Sequence, residues 1–325
     1  MRLATILASL TALACWCPAG ELRLNGPFTH DNLSIYLVHG PDRSQTRYLT
    51  LAEALEQHKV VVYETGDVNQ LQVENVSRED IYIQSGEIVK GGRQDRVLKD
   101  DFILPTASGK VDITAFCVEH GRWTKRGGES SQAFEASPNA IASPQMKRAV
   151  QAGQQQQVWV AVEAAQESLS TSLSAPVKSR QSPTSYQLTV ESEHVKKVGG
   201  GFQKDLGGLA SKYGDALGYV MVVNGKVTGA DVYASHELFR KLWPKLLEAA
   251  SVEAMAAAKP GQSFASPSMD EVRAAATGYG AHVSAEKQLN RRTNSVTAEL
   301  PTGTVVETRD SASAAAPVHR TYVVK

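Results

Sequence analysis

The sequence predicts an α+β fold, in which an N-terminal antiparallel β-rich unit (a sandwich or barrel-like arrangement) precedes a helix and a hairpin-plus-helix α/β portion. Short runs rich in valine, isoleucine and aromatic residues recur from Phe28 to Trp123, separated by glycine, asparagine, aspartate and serine. Helical periodicity dominates residues 143–167. Asn224-Gly225 then marks a tight hairpin, and apolar residues at helical spacing follow it.

Changes in composition divide the 325 residues into segments that fit one large domain or two closely packed ones. A linker containing serine and proline separates the first long helix from the hairpin unit. The predicted segments are a signal peptide at 1–19, a β-rich unit at 26–135, a helix at 143–167, a linker at 168–185, a hairpin-plus-helix unit at 186–258 and a C-terminal helix with strands at 259–325.

The N-terminal stretch "MRLATILASLTALACWCPAG" has an early arginine, an apolar segment and then small residues, which is typical of a secretory signal. Cleavage after Ala14 and cleavage after Ala19 both stay open. Cys15 after "ALA" also resembles a weak lipoprotein box, so lipidation is the second alternative. We therefore expect a bacterial protein exported to the periplasm or the extracellular space, with no membrane association after signal removal unless Cys15 is lipidated.

Charge and cysteine content exclude several classes of function. Lysine plus arginine equals aspartate plus glutamate, at 34 each, so no global field draws the chain to nucleic acid. Cleavage at Ala19 would leave Cys117 as the remaining cysteine, which excludes an intrachain disulfide. Clustered histidine or cysteine ligands are lacking, so the sequence predicts neither a metal site nor a bound cofactor. It does not determine the oligomeric state.

The helices and the hairpin have local signals of their own. Leu49 to His58 has helical periodicity within the β-rich unit, and Pro144 suits the first position of the next helix. Asn224-Gly225 predicts a type I′ turn because both of its central residues must take positive φ.

That turn sets the register of the hairpin. Pairing Val223 with Lys226 would place Gly218 opposite Asp231. In the helix that follows, we expect Trp243 to pack in the core.

Strand alternation predicts two inward-facing carboxylates. In "KVDITAFCV" it turns Cys117 into the core and carries Glu119 to the same side. The buried position favours Cys117 as a small hydrophobe over a nucleophile paired with His120. The same count through Ile81 and Ile83 brings Glu87 to a core side.

Buried carboxylates need cations, and Arg96 and Arg122 are the candidate partners because guanidinium suits a bidentate contact. We therefore expect Glu87, Arg96, Glu119 and Arg122 to converge in one polar cluster. Two interpretations stay open. Glycines in "GEIVKGG" would let backbone approach a ligand in a pocket, or the charges form a salt-bridge network that braces the turn.

The strings "VNQLQVENVSREDIYIQSGEIVKGGRQDRVLKDDFILP", "VDITAFCVEHGRW" and "GYVMVVNGKVTGADVYASHELFRKLWPKLLEAA" together resemble the ADP-ribosylglycohydrolase- and rhodanese-phosphatase-superfamily-associated protein domain family. The resemblance runs from about Gly26 to Met255. It implies a role linked to NAD or ADP-ribose metabolism and provides no established catalytic residues. Asp95 departs from the pattern, in which asparagine is expected. The positions that match its strongest pattern are Gly86, Glu87, Gly92, Gln94, Arg96, Cys117, Glu119, Gly121, Arg122 and Trp123.

Two classes of function follow. In the first, the protein binds or hydrolyses a phosphorylated, ribosylated or sugar-like small molecule, with Glu87 and Glu119 as the catalytic candidates that bind hydroxyls or transfer protons. In the second, it is a non-catalytic envelope or extracellular structural or interaction module. An open cavity would favour the first class, and closed, mutually satisfied charges the second. The candidate ligand-binding residues are Arg96, Arg122, Gln94, Asp95, Gly92 and Trp123.

Overall fold

The computed structural model describes residues 22–313 and 316–325, so the predicted signal peptide lies outside the described residues. These described residues form seventeen strands and eight helices, which confirms the strand-rich α+β class. In chain order the strands are β1 (Arg23–His30), β2 (Leu33–His39), β3 (Leu49–Thr50), β4 (Val60–Glu64), β5 (Gln70–Asn75), β6 (Ile81–Ile83), β7 (Glu87–Gly91), β8 (Arg96–Leu98), β9 (Phe102–Leu104), β10 (Lys110–Cys117), β11 (Phe134–Ile141), β12 (Ala216–Val223), β13 (Lys226–Tyr233), β14 (His282–Gln288), β15 (Thr293–Leu300), β16 (Gly303–Asp310) and β17 (His319–Val324).

Six of the eight described helices begin at a serine or threonine whose side chain accepts a backbone N–H of the first turn. Thr50 with Glu53, and Ser268 with Glu271, form capping boxes in which each side chain bonds the other residue's backbone N–H. The helices are α1 (Leu51–Glu56), α2 (Pro144–Gln151), α3 (Gln155–Ser172), α4 (Tyr186–Val190), α5 (Glu193–Leu206), α6 (Leu209–Lys212), α7 (His236–Ala256) and α8 (Met269–Thr277). Within the described part of the chain, no helix is long and apolar enough to cross a membrane.

The largest sheet joins the two ends of the chain. Its strand order is β1-β2-β12-β13-β17-β16-β15-β14, and all neighbouring strands are antiparallel. The β-rich unit expected at 26–135 is therefore divided between sheets, because β1 and β2 belong to the largest sheet, in which β2 pairs with the hairpin strand β12. Helix α8 packs on one face of this sheet through Val272, Ala275 and Ala276.

Two smaller sheets contain the rest of the β-rich region. One is antiparallel in the order β11-β7-β8-β10-β5-β4. The other has the order β3-β6-β9, and its β3–β6 pair is parallel. Helix α7 contacts both β11 and β12, and so packs between the sheet systems. Trp243 on α7 is buried in the core as predicted, and the helix continues through Pro244.

The predicted hairpin is present, but its register changes along its length. Asn224 and Gly225 both have positive φ, and Val223 pairs with Lys226 as expected. An irregularity between Met221 and Val222 shifts the ladder, so that Asp231 lies opposite Tyr219 rather than Gly218. A turn signal sets the register beside the turn, whereas a bulge farther along resets it.

The helix and linker expected at 143–167 and 168–185 also differ from the structure. The helical segment is divided into α2 and α3, and Gly153 between them has a φ of +75°. Helix α3 then runs to Ser172, inside the predicted linker. The end of that linker packs against the fold, since Ser182 and Ser185 are buried.

Candidate functional site

The arginine cluster, which we define as Asp95, Glu119, Arg122 and Arg126, lies beside the ends of β8 and β10. Arg126 makes a paired contact with Asp95, with Nη1–Oδ2 and Nη2–Oδ1 distances of 3.0 and 3.1 Å. Arg122 Nε donates to Glu119 Oε2 at 2.7 Å. The structure thus brings together Glu119 and Arg122, as predicted, and adds Arg126 as the main partner of Asp95.

Neutral groups complete this cluster. Ser182 donates to Glu119 Oε1, and Ser185 donates to Asp95 Oδ2 at 3.3 Å. The amide of Gln94 donates to the Glu119 carbonyl at 2.9 Å. Every carboxylate oxygen of Asp95 and Glu119 therefore has a donor, and the cluster is closed. Burial raises the pKa of Asp95, and Arg126 opposes that effect.

Arg96 and Trp123 lie at the edge of the cluster. The guanidinium of Arg96 contacts Glu64, at 3.4 Å from Nη2 to Oε2, rather than Glu87 or Glu119. Trp123 is 41% exposed, and the guanidinium carbons of Arg93 and Arg96 lie 5.3 and 5.8 Å from its ring centroid.

Gly92 is explained by packing rather than by a ligand. It has a φ of +57°, and a Cβ there would lie 2.3 Å from the Phe134 ring. The glycine predicted to admit a ligand therefore admits a neighbouring aromatic side chain.

Glu87 lies outside the arginine cluster, so the predicted four-residue convergence is wrong. Its Oε1 pairs with Lys245 of α7 at 3.0 Å, and its Oε2 accepts the Gln84 backbone N–H at 3.0 Å. The Gln84 side chain accepts a hydrogen bond from Tyr233 at 2.8 Å. Glu87 is thereby linked to a different set of buried groups.

The ring of Tyr233 stacks on His319, with centroids 4.5 Å apart, and so connects Glu87 to a second buried set. We call this set the histidine cluster and define it as Asp101, Asp231, His319 and Lys147. His319 Nδ1 lies 2.8 Å from Asp101 Oδ2, and its Nε2 lies 3.0 Å from Asp231 Oδ1. Lys147 Nζ is 3.5 Å from the same Asp231 oxygen. Two carboxylates thus alternate with two cationic groups, and the chain of contacts joins α2 to the sheets.

Electrostatics keep the histidine cluster charged. Burial alone would lower the pKa of His319, but the carboxylates of Asp101 and Asp231 raise it to about 9. Burial would likewise raise the pKa of Asp101, yet His319 and donated hydrogen bonds hold it below its usual value. The imidazolium and both carboxylates therefore coexist at neutral pH.

A cleft of about 490 Å³, which we call the polar cleft, opens beside Asp101. One wall is a face of the largest sheet, on which Ser295, Thr297 and Glu299 alternate with residues directed to the α8 side. Polar residues on a partly covered sheet face leave many groups able to bind a ligand. The lining residues are Ser85, Lys99, Asp100, Asp101, Arg148, Gln151, Ala152, Ala285, Lys287, Leu289, Ser295, Thr297, Glu299, Thr304, Val306 and Thr321.

Three cations line this cleft without forming a salt bridge. Within residues 22–313 and 316–325, Lys99, Arg148 and Lys287 make no salt bridge within 4.0 Å. Burial raises the pKa of Asp100, and Lys99 and Lys287 partly offset that effect. Asp101 and Glu299 also line the cleft, but Glu299 is paired with Lys325. Cations that form no salt bridge around an open space suit an anionic ligand.

A larger groove of about 840 Å³ lies elsewhere, between α5, the end of α7 and the loop after it. Its walls include Phe202, Met255 and Phe264, and its charged lining residues are Asp31 and Lys259. It offers fewer groups for recognition of a charged ligand than the polar cleft does.

Sequence reasoning missed Asp101, Lys147 and His319, and also the cleft cations. A buried strand next to the Asp100-Asp101 pair was a weak signal, because a charged pair at a strand end is common on surfaces. His319 carried no local signal. Among the described residues, no group of three or more histidine, cysteine, aspartate or glutamate side chains is arranged to hold a metal ion.

Comparison with known proteins agrees with the resemblance carried by the sequence motifs. The model of the family described as "ARG and Rhodanese-Phosphatase-superfamily-associated Protein domain" matches residues 21–322, nearly the whole chain. Searches of curated proteins and of solved structures gave no significant match. The chain therefore belongs to the ARG and Rhodanese-Phosphatase-superfamily-associated Protein domain family.

Proposed function

We propose that this protein binds a phosphate-bearing small molecule in the polar cleft. The observation that carries the proposal is the set of three cations, Lys99, Arg148 and Lys287, that line an open cleft and form no salt bridge within 4.0 Å among the described residues. Cationic side chains make strong, charge-assisted hydrogen bonds to phosphate oxygens. Hydroxyls from Ser295, Thr297 and other residues on the sheet face would complete the contacts.

The resemblance to proteins associated with ADP-ribosylglycohydrolases favours ADP-ribose or a related nucleotide as the first ligand to test. Such a molecule combines phosphates with sugar hydroxyls, which matches the mixed cationic and hydroxyl lining of the cleft. Glu87 and Glu119 are each satisfied by partners of their own, so we assign them to structure and not to catalysis.

The alternative class, a non-catalytic structural or interaction module, is favoured by the closed arginine cluster. A cluster in which every carboxylate oxygen has a donor holds the fold and offers no vacant group to a ligand. Binding at the polar cleft separates the two classes, because a purely structural module has no reason to bind a nucleotide there.

Calorimetric titration with ADP-ribose, ADP and inorganic phosphate at low and high salt tests the proposal. We expect saturable binding of the phosphate esters that weakens as salt rises. The Arg148→Gln/Lys287→Gln double variant should lose about 10- to 100-fold in affinity, since two charge-assisted contacts are removed. Lys226→Gln, at an exposed lysine of the hairpin outside the cleft, is the matched control and should bind normally. Equal binding by the double variant and the control would contradict the proposal.

We also propose that the protein is exported, on the basis of the signal-like residues 1–19. Mass spectrometry of the mature N-terminus in separated cell fractions tests this. Cleavage after Ala14 or Ala19, or a lipidated Cys15, in an envelope or secreted fraction is the expected result. An intact Met1 in the cytoplasmic fraction would contradict export.

A further inference from the structure

We propose that the polar cleft is polarised along its depth, so that a sugar phosphate enters with its hydroxyl-bearing ring inwards, hydrogen-bonded to Asp101, and its phosphate at the cationic mouth. This inference rests on the proposed binding function and adds the class and orientation of the ligand. It assigns to Asp101 the role of a binding residue specific for a hydroxyl group.

The two oxygens of Asp101 have unequal hydrogen-bonding capacity left. Oδ2 accepts from Tyr82 at 2.8 Å and Thr308 at 2.7 Å, and lies 2.8 Å from His319 Nδ1. Oδ1 accepts the Ser85 backbone N–H at 2.7 Å. Because a carboxylate oxygen has two lone pairs, Oδ1 retains one acceptor position.

That acceptor position belongs to a residue that lines the cleft. Asp101 is 6% exposed, and its neighbours in the lining include the buried Ser85 and Thr321. The hydrogen bonds from Tyr82 and Thr308 and the contact with His319 keep the side chain ionised, so it accepts hydrogen bonds and repels anions. A hydroxyl group fits this position, and a phosphate does not.

The cations have the opposite distribution. Lys99 is half-buried, whereas Arg148 and Lys287 are exposed. Two further carboxylates line the cleft: Glu299 pairs with Lys325, and the half-buried Asp100 interacts with Lys99 and Lys287. Cations therefore outnumber unpaired carboxylates towards solvent, whereas the negative charge of Asp101 lies deep. A ligand that carries a phosphate at one end and hydroxyls at the other satisfies both ends in one orientation.

The test compares ribose 5-phosphate with tetrahydrofurfuryl phosphate, which has the same ring and phosphate but lacks the ring hydroxyls. Dissociation constants for these two esters and for inorganic phosphate are measured by calorimetry on the full-length protein as it is purified. We expect ribose 5-phosphate to bind about 10- to 100-fold more tightly than the hydroxyl-free ester, since a hydrogen bond to a charged group sets the difference. Equal affinities would overturn the inference.

Two variants show which residue is responsible for the preference for the hydroxylated ester. In Asp101→Asn, the donors at the Oδ2 position retain the amide oxygen, so the amide nitrogen occupies the Oδ1 position. There it faces the Ser85 N–H and offers a ligand hydroxyl only a neutral donor in place of the charged acceptor. We expect its preference for the hydroxylated ester to fall below about threefold. Lys287→Gln should weaken both esters by the same factor and keep the preference, because it contacts the phosphate end.

The outcomes also separate the inference from the proposed function. Binding of both esters with an undiminished preference in Asp101→Asn would overturn the role of Asp101 and leave phosphate binding intact. Failure of all phosphate compounds to bind would overturn both proposals. If Asp101→Asn does not fold, the wild-type comparison of the two esters, together with Lys287→Gln, still decides the orientation.

Discussion

The arginine cluster and the histidine cluster both bury two carboxylates and two cationic side chains, but they differ in what lies beside them. In the arginine cluster every oxygen of Asp95 and Glu119 is occupied by a protein donor. Asp101 of the histidine cluster, by contrast, lines a cleft that also contains three cations that form no salt bridge among the described residues. Residue types alone do not distinguish a structural salt-bridge cluster from a candidate ligand-binding site. The two regions differ because cations that form no salt bridge surround an open cleft beside the histidine cluster, whereas the charges of the arginine cluster are paired with one another.

This difference predicts that the two regions respond oppositely to substitution. Changes in the closed cluster should cost stability and leave binding intact, since a buried carboxylate that loses its partner is costly. Changes at the mouth of the cleft should leave stability unchanged and alter binding, since exposed charges contribute little to folding.

The largest expected effect is on the closed side. Arg126→Met removes the cation that pairs with Asp95 and also approaches Glu119, leaving buried carboxylates undercompensated. We expect the free energy of unfolding, measured by urea denaturation, to fall by about 3 to 5 kcal/mol. Affinity of the folded protein for ADP-ribose should be unchanged. Glu129→Gln, which removes a more exposed partner of Arg126, is the control and should cost less than about 1 kcal/mol.

The histidine cluster should make stability depend on alkaline pH. The pKa of His319 is raised from 6.5 to about 9 in the folded state, so its contribution is fully present below pH 6.5 and is lost as pH rises through about 9. Each pKa unit is worth roughly 1.4 kcal/mol, which makes the loss on the order of 3 kcal/mol. His319→Gln should remove this part of the pH dependence in urea denaturation from pH 6 to 10. The exposed His194→Gln control should retain it, and a wild-type curve that matches His319→Gln would refute the charged imidazolium.

Replacement of Asp100, at the mouth of the cleft, should have a smaller effect, and it should strengthen ligand binding. Asp100→Asn removes a negative charge next to Lys99 and Lys287, so affinity for a phosphate ester should rise about two- to fivefold. Stability should change by less than about 0.5 kcal/mol or increase slightly, because burial disfavours the Asp100 charge. Asp112→Asn, at an exposed position on β10, is the control. A fall in affinity would show that Asp100 itself binds the ligand.

The smallest expected signal is alkylation of Cys117, which should hardly react in the folded protein. Burial beside the arginine cluster raises the pKa of this thiol to about 11, so it stays protonated and unreactive at pH 8. In a protein with Cys15 and Cys17 removed or replaced, iodoacetamide should label Cys117 only after unfolding. In the Arg126→Met variant, Cys117 should be labelled faster, because the destabilised region around the arginine cluster opens more often. Rapid labelling of Cys117 in the folded wild-type protein would show that this region is not closed.

Local pattern was informative where local rules decide the outcome. Strand alternation correctly turned Cys117, Glu119 and Glu87 into the interior, and Asn224-Gly225 correctly specified the turn. Composition also identified the strand-rich class. These properties depend on neighbours within a few residues along the chain.

The partners of those residues could not be predicted, because they come from distant parts of the chain. Strand alternation predicts that both Glu87 and Glu119 face the interior, but it does not predict their partners. Glu87 pairs with Lys245, 158 residues away, whereas Glu119 pairs with Arg122, three residues away. Asp101 and His319 are 218 residues apart. The pairing of β2 with the hairpin strand β12 is likewise non-local, and a single sequence contains no signal for it.

A crystal structure after soaking with ADP-ribose would show whether the polar cleft is the binding site, because it locates the ligand relative to the cleft and to the arginine cluster. We expect density in the polar cleft, with a phosphate next to Arg148 and Lys287 and a hydroxyl within hydrogen-bond distance of Asp101 Oδ1. Density stacked on Trp123, with its phosphates on Arg122 or Arg96, would show instead that the ligand binds at the arginine cluster.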